Sequence, residues 1–508
     1  MQSSTQHDRE IGQLTRRDLV KLGGTCLVAG GAAAGVVGTA TAGAAEATAG
    51  VAVGDAAVSF TKEADVLIVG TGLSGLAAAM EPAKAGKSVI FAEKKDTFGG
   101  DSAFSCWFMF ANGTELQLGA GKQMTIDQYW EASKDKLVGG FDQYAWYPDW
   151  VKGKTYANTA FVDSAINDFG CTFQEPPTDD EMPRLASTVI LPGEGIGTGY
   201  EYILAPLQAK LERMGCEFDY GLRATALIKD APDGAVIGCR FRDEDGNAVD
   251  IKAGAVVLAT GGFADNGEMV AKYVPDFSPY GQLVHGCMGE GHAMAAAAGA
   301  MIMGMDSSTT YCNLMGDIPN ATTWGYWAPL VLVLPNGKRF IQEGQSHDAA
   351  AAAIAAGYRE WWVIFDQQAF DARCIAKSVQ NNITAHADAY VTADTLEELA
   401  EAMGVPADTL AETFATYDSY VEAGEDADFG KTSFLLSLSA PYHALRLNAC
   451  RYKTSGGLMV GPNNRVLDVN GEEIAGLYAC GALTTLAYAS CSTCAATGYF
   501  VGQTLAAQ

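Results

Sequence analysis

The stretch from Ala64 to Glu93 constrains the fold of this chain more than any other. Val66-Leu67-Ile68-Val69, after Asp65, is apolar and largely β-branched, as a strand buried on both faces of a parallel sheet must be. Gly70-Thr71-Gly72-Leu73-Ser74-Gly75 follows, then an alanine-rich helix from Leu76. A second apolar run, Ser88 to Ala92, ends at Glu93. Each part has a physical role. Gly70 permits a tight turn, Gly72 lets the backbone approach a pyrophosphate, and Gly75 lets the helix pack close to the sheet. The helix N-terminus offers N–H groups and a positive dipole end to phosphate. Glu93, eighteen residues after Gly75, can accept hydrogen bonds from a ribose. Strand, glycines, helix, second strand and acid in this order point to a dinucleotide, FAD or NAD.

The rest of the composition sets bounds. A chain of 508 residues can form two domains with large cores. Its formal charge of −27 argues against nucleic acid or an anionic membrane surface as partner. No run of eighteen apolar residues occurs after position 50, so no integral membrane span is expected once an export signal is removed. Residues 1–45 have the texture of such a signal. Thr15-Arg16-Arg17-Asp18-Leu19-Val20-Lys21 resembles the twin-arginine (Tat) consensus, a Gly/Ala-rich stretch follows, and Ala42-Gly43-Ala44 offers a small-residue cleavage site. The expected location is therefore outside the cytoplasm: periplasm, cell envelope or medium. Among twelve cysteines, Cys491-Ser492-Thr493-Cys494 is the one CxxC. With no second CxxC and no following His, it matches neither a zinc site nor covalent haem attachment; a redox or structural disulfide stays open, and a buried pair beside the flavin is the expectation.

Along the chain, Phe98-Gly99-Gly100-Asp101-Ser102 is followed by an aromatic-rich segment to about Thr198. Glu201–Met214 has the pattern of an amphipathic helix. Ala224–Ile251 has the pattern of a β-meander with turns at Asp233-Gly234 and Asp245-Gly246, and Ala255–Phe263 that of another buried strand ending in glycines. Residues 265–440 differ in texture, with alanine-rich helices (Gly291–Ala300, Ala349–Ala356, Leu396–Ala423) and a hairpin at Ala328–Phe340. The expected fold is α/β: a Rossmann-like FAD-binding domain over 60–264 and 441–508, with an inserted α+β capping domain over 265–440.

Five motifs in order carry a resemblance to the FAD-dependent fumarate reductase/succinate dehydrogenase flavoprotein superfamily, which includes 3-ketosteroid dehydrogenases. They are Gly70–Gly75 with Glu93, Gly99-Gly100-Asp101-Ser102, Ala259-Thr260-Gly261-Gly262, Asn336-Gly337-Lys338-Arg339-Phe340-Ile341-Gln342-Glu343, and Gly476-Leu477-Tyr478-Ala479-Cys480-Gly481. The resemblance implies FAD held by Gly70, Gly72, Leu73, Ser74, Gly75, Glu93, Lys94, Gly99, Gly100, Asp101, Ser102, Ala259, Thr260, Gly261, Gly481 and Ala482. No His stands where the family links flavin covalently, so the FAD is expected to be non-covalent. It also implies hydride transfer between flavin N5 and a C–C bond conjugated to a carbonyl, with a side chain moving the proton. Electrons are expected from, or to, a separate protein or a quinone-linked cytochrome.

Position by position, the resemblance puts His347 where the family has its proton donor, eight residues after Arg339. Tyr452 stands where fumarate reductases have a carboxylate-binding His, and no Arg occurs between Tyr488 and Cys494. Tyr488 with the Ser492 amide is similar to the ketone-holding pair of ketosteroid dehydrogenases. Loss of the cationic clamps disfavours a dicarboxylate, whose burial without charge partners costs several kcal/mol. Rings such as Trp107, Phe108, Tyr311, Trp324, Tyr326 and Trp327 suggest a bulky ligand. The leading expectation is an enzyme acting on a CH–CH bond next to a ketone, steroid-like or an aromatic enone, with His347, Tyr488 and Tyr452 catalytic and Tyr326 and Ser492 against substrate. Two alternatives stay open. One is a reductase of a small enoate, of fumarate, cinnamate or urocanate type, held by Lys453 or Arg451. The other is a flavin-binding protein without catalysis, suggested by Ala482 and Cys491.

Overall fold

The structure, a computed structural model, describes residues 52–53, 58–104, 108–121, 124–139, 148–174, 188–190, 199–278, 280, 286–306, 308–314, 318–319, 329–343, 349–371, 389–432, 434–454, 456–485 and 490–508. The twin-arginine segment, His347, Tyr326 and Tyr488 lie outside these residues, as does the side chain of Tyr452.

The apolar runs near the N-terminus form strand β1 (Phe60–Val69), helix α1 (Leu73–Lys84) and strand β2 (Val89–Ala92). β1 is exposed over its first half and buried over Val66–Val69, where it enters the core. Helices α2 (Pro148–Asn167) and α3 (Ala205–Arg213) precede β3 (Glu217–Asp219). The expected meander is β4 (Arg223–Lys229), β5 (Val236–Arg242) and β6 (Ala248–Leu258). The meander's last strand and the expected strand from Ala255 are one continuous β6. Its first half pairs antiparallel with β5, while Val256–Leu258 pairs parallel with the returning strand β13 (Glu473–Ala479). β6 also lies parallel to β1, which is parallel to β2, which is parallel to β3. The parallel order is thus β13-β6-β1-β2-β3. Residues 69–72, 92–95, 258–261 and 479–482 therefore emerge from the same, carboxyl-terminal edge of the sheet, the edge at which open α/β sheets bind ligands.

Helix α4 (Glu290–Ala297) packs its Met294 and Ala295 into the core of this sheet. The capping sheet is built from β7 (Ser308–Leu314), β8 (Val331–Val333), β9 (Glu360–Asp366), β10 (Tyr390–Ala393) and β11 (Tyr442–Thr454), with β11 against β7, β9 and β10. Helices α5 (Ala349–Ala355), α6 (Leu396–Met403) and α7 (Ala407–Ala423) accompany it. The division of the chain therefore differs from a break at 265 and 440. α4 belongs to the first domain by its core contacts, and β11, up to Thr454, belongs to the capping sheet by its hydrogen bonds. The single helix expected over Leu396–Ala423 is two, because Gly404 adopts a left-handed conformation (φ 68°) and Pro406 follows it. The hairpin expected at Ala328–Phe340 is β8 and a tight turn, with Leu334 N–H bonded to Lys338 C=O and one bridge from Val333 to Arg339.

The chain closes with β12 (Arg465–Leu467), β13 and helix α8 (Cys491–Ala506). α8 crosses α1 with backbones in close approach. A Cβ on Gly498 would lie 2.1 Å from Ser74 O, and one on Gly502 2.8 Å from Ala78 O. No helix among the described residues is long and apolar enough to cross a membrane.

Candidate FAD cradle and adjoining cleft

The three glycines of the first turn are required for different reasons. Gly70 has φ +103°, and a Cβ there would lie 2.6 Å from Ala259 O. A Cβ on Gly75 would lie 2.2 Å from Gly70 O. Both are needed by the protein's own packing. Gly72 is not: its backbone is extended (φ −65°, ψ 173°), and the nearest atom to an added Cβ is Ser102 Oγ at 3.8 Å. The protein leaves that space open, and Gly72 caps α1 without a side-chain hydrogen bond. An open approach to a helix N-terminus suits a phosphate.

Neighbouring loops are tied to this turn. Gly99 N–H donates to Thr71 O at 3.1 Å, and Leu73 N–H to Ser102 Oγ at 3.2 Å. This places Gly99, Gly100 and Ser102 against Gly72. Glu93 is buried. Its Oε2 accepts from the N–H (3.0 Å) and hydroxyl (2.7 Å) of Thr71, and its Oε1 from Lys95 N–H (3.0 Å). The carboxylate thus braces the turn at the end of β2, where a ribose hydroxyl would reach it. Lys94 is committed to Glu290 (2.9 Å) and to Gly286 C=O, joining this edge to α4.

On the far side, Gly481 N–H donates to Thr497 Oγ1 at 3.0 Å, fixing the β13 turn to α8. Phe263 N–H donates to Thr454 Oγ1 at 2.9 Å, so the end of the capping strand β11 is anchored on the Thr260–Phe263 turn. Among the described residues, three buried polar atoms in this region have no partner: Thr260 Oγ1, His292 Nδ1 and Thr485 Oγ1. His292 Nε2 lies 3.5 Å from Gly456 O, which makes it the donor nitrogen and leaves Nδ1 an acceptor. Burial pushes this imidazole down to about 4. An orphaned buried polar atom costs about 1–3 kcal/mol unless something else supplies its hydrogen bond. A polar cofactor along the strand ends would do so, and the open space at Gly72 fits its diphosphate.

A cluster of polar and thiol side chains adjoins the cradle. Lys453, Cys494, Asp101 and Cys287 are each strongly desolvated yet keep some accessible surface. Burial pushes the Lys453 ammonium down to about 8 and the Cys494 thiol up to about 12. Burial also raises the Asp101 carboxyl, although the Cys287 thiol donates to its Oδ2 at 2.9 Å. Lys453 comes from the end of β11, where the register slips. Thr310 pairs with Arg451 and Thr309 with Lys453, so Tyr452 is an extra residue, a β-bulge. The bulge inverts the alternation. Lys453 shares the face of Asn448, while Arg451 shares that of Leu447 and Ala449, the face of a capping-domain core. Of the two cations considered for a carboxylate, Lys453 therefore faces the closing helix, near Cys491 and Cys494, and Arg451 does not.

Ser492 is buried in the first turn of α8, behind the Ser490 cap, whose Oγ accepts from Thr493 N–H at 3.2 Å. Ala482 follows Gly481 at the same end. The structure thus brings together Gly70–Gly75, Glu93, Gly99–Ser102, Ala259–Gly261, Gly481, Ala482, Ser492 and Lys453. His292, Thr485, Thr454 and Cys287 were not singled out from sequence. For Cys287, His292 and Thr454 the local signal is proximity to glycines, at Gly289, Gly291 and Gly456–Gly457; Thr485 has no such neighbour.

The FAD binding domain family matches residues 65–495. The chain is 28% identical over 433 residues to a probable fumarate reductase of Shewanella frigidimarina (strain NCIMB 400), covering 82% of this chain and 69% of that protein. It is 28% identical over 466 residues to a vinyl phenol reductase of Lactiplantibacillus plantarum, covering 82% and 89%. Its structure is similar to that of 3-ketosteroid-delta4-(5alpha)-dehydrogenase from Rhodococcus jostii RHA1 in complex with 4-androstene-3,17-dione, with TM-score 0.69 and 25% identity over 90% of this chain and 100% of that one.

Proposed function

The chain belongs to the FAD binding domain family, and on that premise we propose that it reduces a carbon–carbon double bond conjugated to a single carboxylate, held by Lys453. FAD is its cofactor, and its chemistry is oxidoreduction at a carbon–carbon bond. Bound FAD supplies the hydride. The N-terminus of α1 at Gly72 would hold its diphosphate, Glu93 a ribose, and the Gly481–Ala482 turn with the start of α8 the ring end.

The observation that supports the substrate reading is the bulge that turns Lys453 toward Cys491 and Cys494 at the start of α8. As the double bond gains hydride, negative charge accumulates on the conjugated oxygen. A fixed, desolvated ammonium both binds the carboxylate and stabilises that charge. One lysine suits a monocarboxylate better than fumarate, whose second carboxylate would need its own partner. His347 remains the proposed proton donor at the neighbouring carbon. Export through the Tat route remains proposed from Thr15–Lys21, and electrons from a separate donor.

A second reading keeps a neutral ketone as the polarising group, held by Tyr488 and the Ser492 amide. The structural likeness to the ketosteroid dehydrogenase favours it. Steady-state rates with reduced viologen on cinnamate- and urocanate-type acids and on 4-ene-3-ketosteroids separate the two. On the enoate reading the acids turn over, and Lys453→Met raises their KM by about a hundredfold, the loss of one charged hydrogen bond (about 3 kcal/mol). The same KM rises above about pH 8 in the unsubstituted enzyme, as Lys453 loses its proton. Turnover of the steroids alone, unchanged by Lys453→Met, overturns it.

A further inference from the structure

We propose that Cys491 and Cys494 form a dithiol–disulfide couple that exchanges two electrons with the bound FAD, a second redox centre in the same site. The inference rests on the cofactor and not on the choice of substrate.

Eight cysteines are described, none in a disulfide. Cys171, Cys216, Cys239, Cys450 and Cys480 are buried, as structural thiols are. Only Cys287, Cys491 and Cys494 among them keep accessible surface, and Cys287 and Cys494 border the cradle directly. Cys287 Sγ lies 2.9 Å from where a Cβ on Gly261 would be, and Cys494 Sγ 3.8 Å from one on Gly481. Gly261 and Gly481 are turns at the ends of β6 and β13, where the sequence placed FAD. Cys491 and Cys494 open α8 and stand three residues apart on its first turn. Helix geometry puts their Cα atoms about 5 Å apart, within the range that a disulfide spans.

Their surroundings act on the two thiols in opposite directions. Both lie at a helix N-terminus, whose dipole lowers thiol pKa values. The Lys453 ammonium lies near both sulfurs, and the Ala482 amide points at Cys494 Sγ. Burial opposes these effects at Cys494 and leaves its thiol high, so Cys491, first in the helix, is assigned the attacking role. In the oxidative direction, two S–H bonds break and one S–S bond forms, and two electrons and two protons pass to oxidised FAD. In the working direction an external dithiol reduces the Cys491–Cys494 disulfide by thiol–disulfide exchange. It leaves as its own disulfide, and the couple then reduces FAD. This gives the enzyme an entry for electrons.

Two measurements on the FAD-loaded enzyme test it, and neither contains an enoate. Anaerobic dithionite titration should take up four electrons per FAD in the unsubstituted enzyme and two in Cys491→Ser. Dithiothreitol should bleach the 450 nm flavin band anaerobically, at least tenfold more slowly in Cys491→Ser. Uptake of two electrons per FAD by the unsubstituted enzyme overturns the proposal without recourse to any variant. Equal bleaching in the two proteins, at equal FAD content, also overturns it.

Discussion

Two buried polar regions of this molecule are built on opposite principles. In the capping domain, Arg339, Glu343, Asp426 and Lys431 are almost wholly inaccessible, and each has a partner. Arg339 Nε lies 2.9 Å from Glu343 Oε1 and Nη2 lies 2.8 Å from Asp426 Oδ2. Lys431 Nζ donates to Leu330 O (2.7 Å) and to Tyr417 Oη (2.9 Å). The guanidinium lies between the rings of Tyr417 (4.9 Å) and Phe429 (5.0 Å). At the strand ends of the FAD domain, by contrast, Thr260 Oγ1, His292 Nδ1 and Thr485 Oγ1 are buried without partners among the described residues. The chain can thus close a charged network on itself. Open polar atoms occur elsewhere too, at Trp361 Nε1 and Asn448 Oδ1 of the capping sheet for example, so it is the position of these three beside the glycine turns that points to a ligand. Arg339 and Glu343 of the Asn336–Glu343 motif accordingly lock the cap, while at the first glycine turn only Gly72 leaves space that the protein does not fill itself.

The comparison breaks first at Arg339. Arg339→Met leaves Glu343 and Asp426 buried against Lys431 alone. The expected loss is about 3–5 kcal/mol, because a buried charge is left uncompensated. Urea unfolding of the apoprotein measures it. Adding Glu343→Gln to Arg339→Met should recover part of the loss by restoring charge balance. A loss below about 1 kcal/mol in the single variant would mean that the network is solvated, and the contrast with the cradle would fail.

The cradle side predicts a pH dependence. His292 has its folded-state pKa pushed down to about 4 from an ordinary 6.5, by burial. Between those values the unfolded chain binds the proton and the folded one does not, so the contribution is present above about pH 6.5 and is lost as pH falls to about 4. At 1.36 kcal/mol per pKa unit it amounts to about 3 kcal/mol. Other groups titrate in the same window, so the readout is the difference between the unsubstituted protein and His292→Gln, in urea, at pH 7 and pH 4.5. A difference that does not change with pH would place His292 in contact with water.

How much of this was legible in sequence follows from how local each signal is. The βαβ unit was readable because turn, helix and strand chemistry all act within thirty residues. The return through Gly476–Gly481 was readable from its apolar run. β9 was missed, since Trp361–Phe365 is apolar throughout and gives no periodicity of its own. The capping domain's limits were missed because strand membership is decided by hydrogen bonds across the chain: β11 pairs with β7, β9 and β10. Lys453 and Arg451 were indistinguishable for a related reason, because alternation predicts one face for both and only the bulge at Tyr452 separates them. The contacts of Asp101 with Cys287 and of Arg339 with Asp426 join residues 186 and 87 positions apart.

The smallest predicted effect sharpens the comparison most, because it separates folding from binding within one turn. Gly75→Ala would place its methyl 2.2 Å from Gly70 O, so it should lower the stability of the apoprotein itself. Gly72→Ala meets nothing nearer than 3.8 Å, and its φ of −65° is open to any residue. The apoprotein should therefore unfold at an unchanged urea midpoint. The methyl would instead stand in the space left for the diphosphate, and FAD affinity should fall by about tenfold or more, about 1.4 kcal/mol. Fluorescence titration of the apoprotein with FAD reads the second effect independently of the first. If Gly72→Ala binds FAD as well as the parent, the open space at the head of α1 does not hold the diphosphate, and the unpartnered atoms along the strand ends need another ligand to explain them.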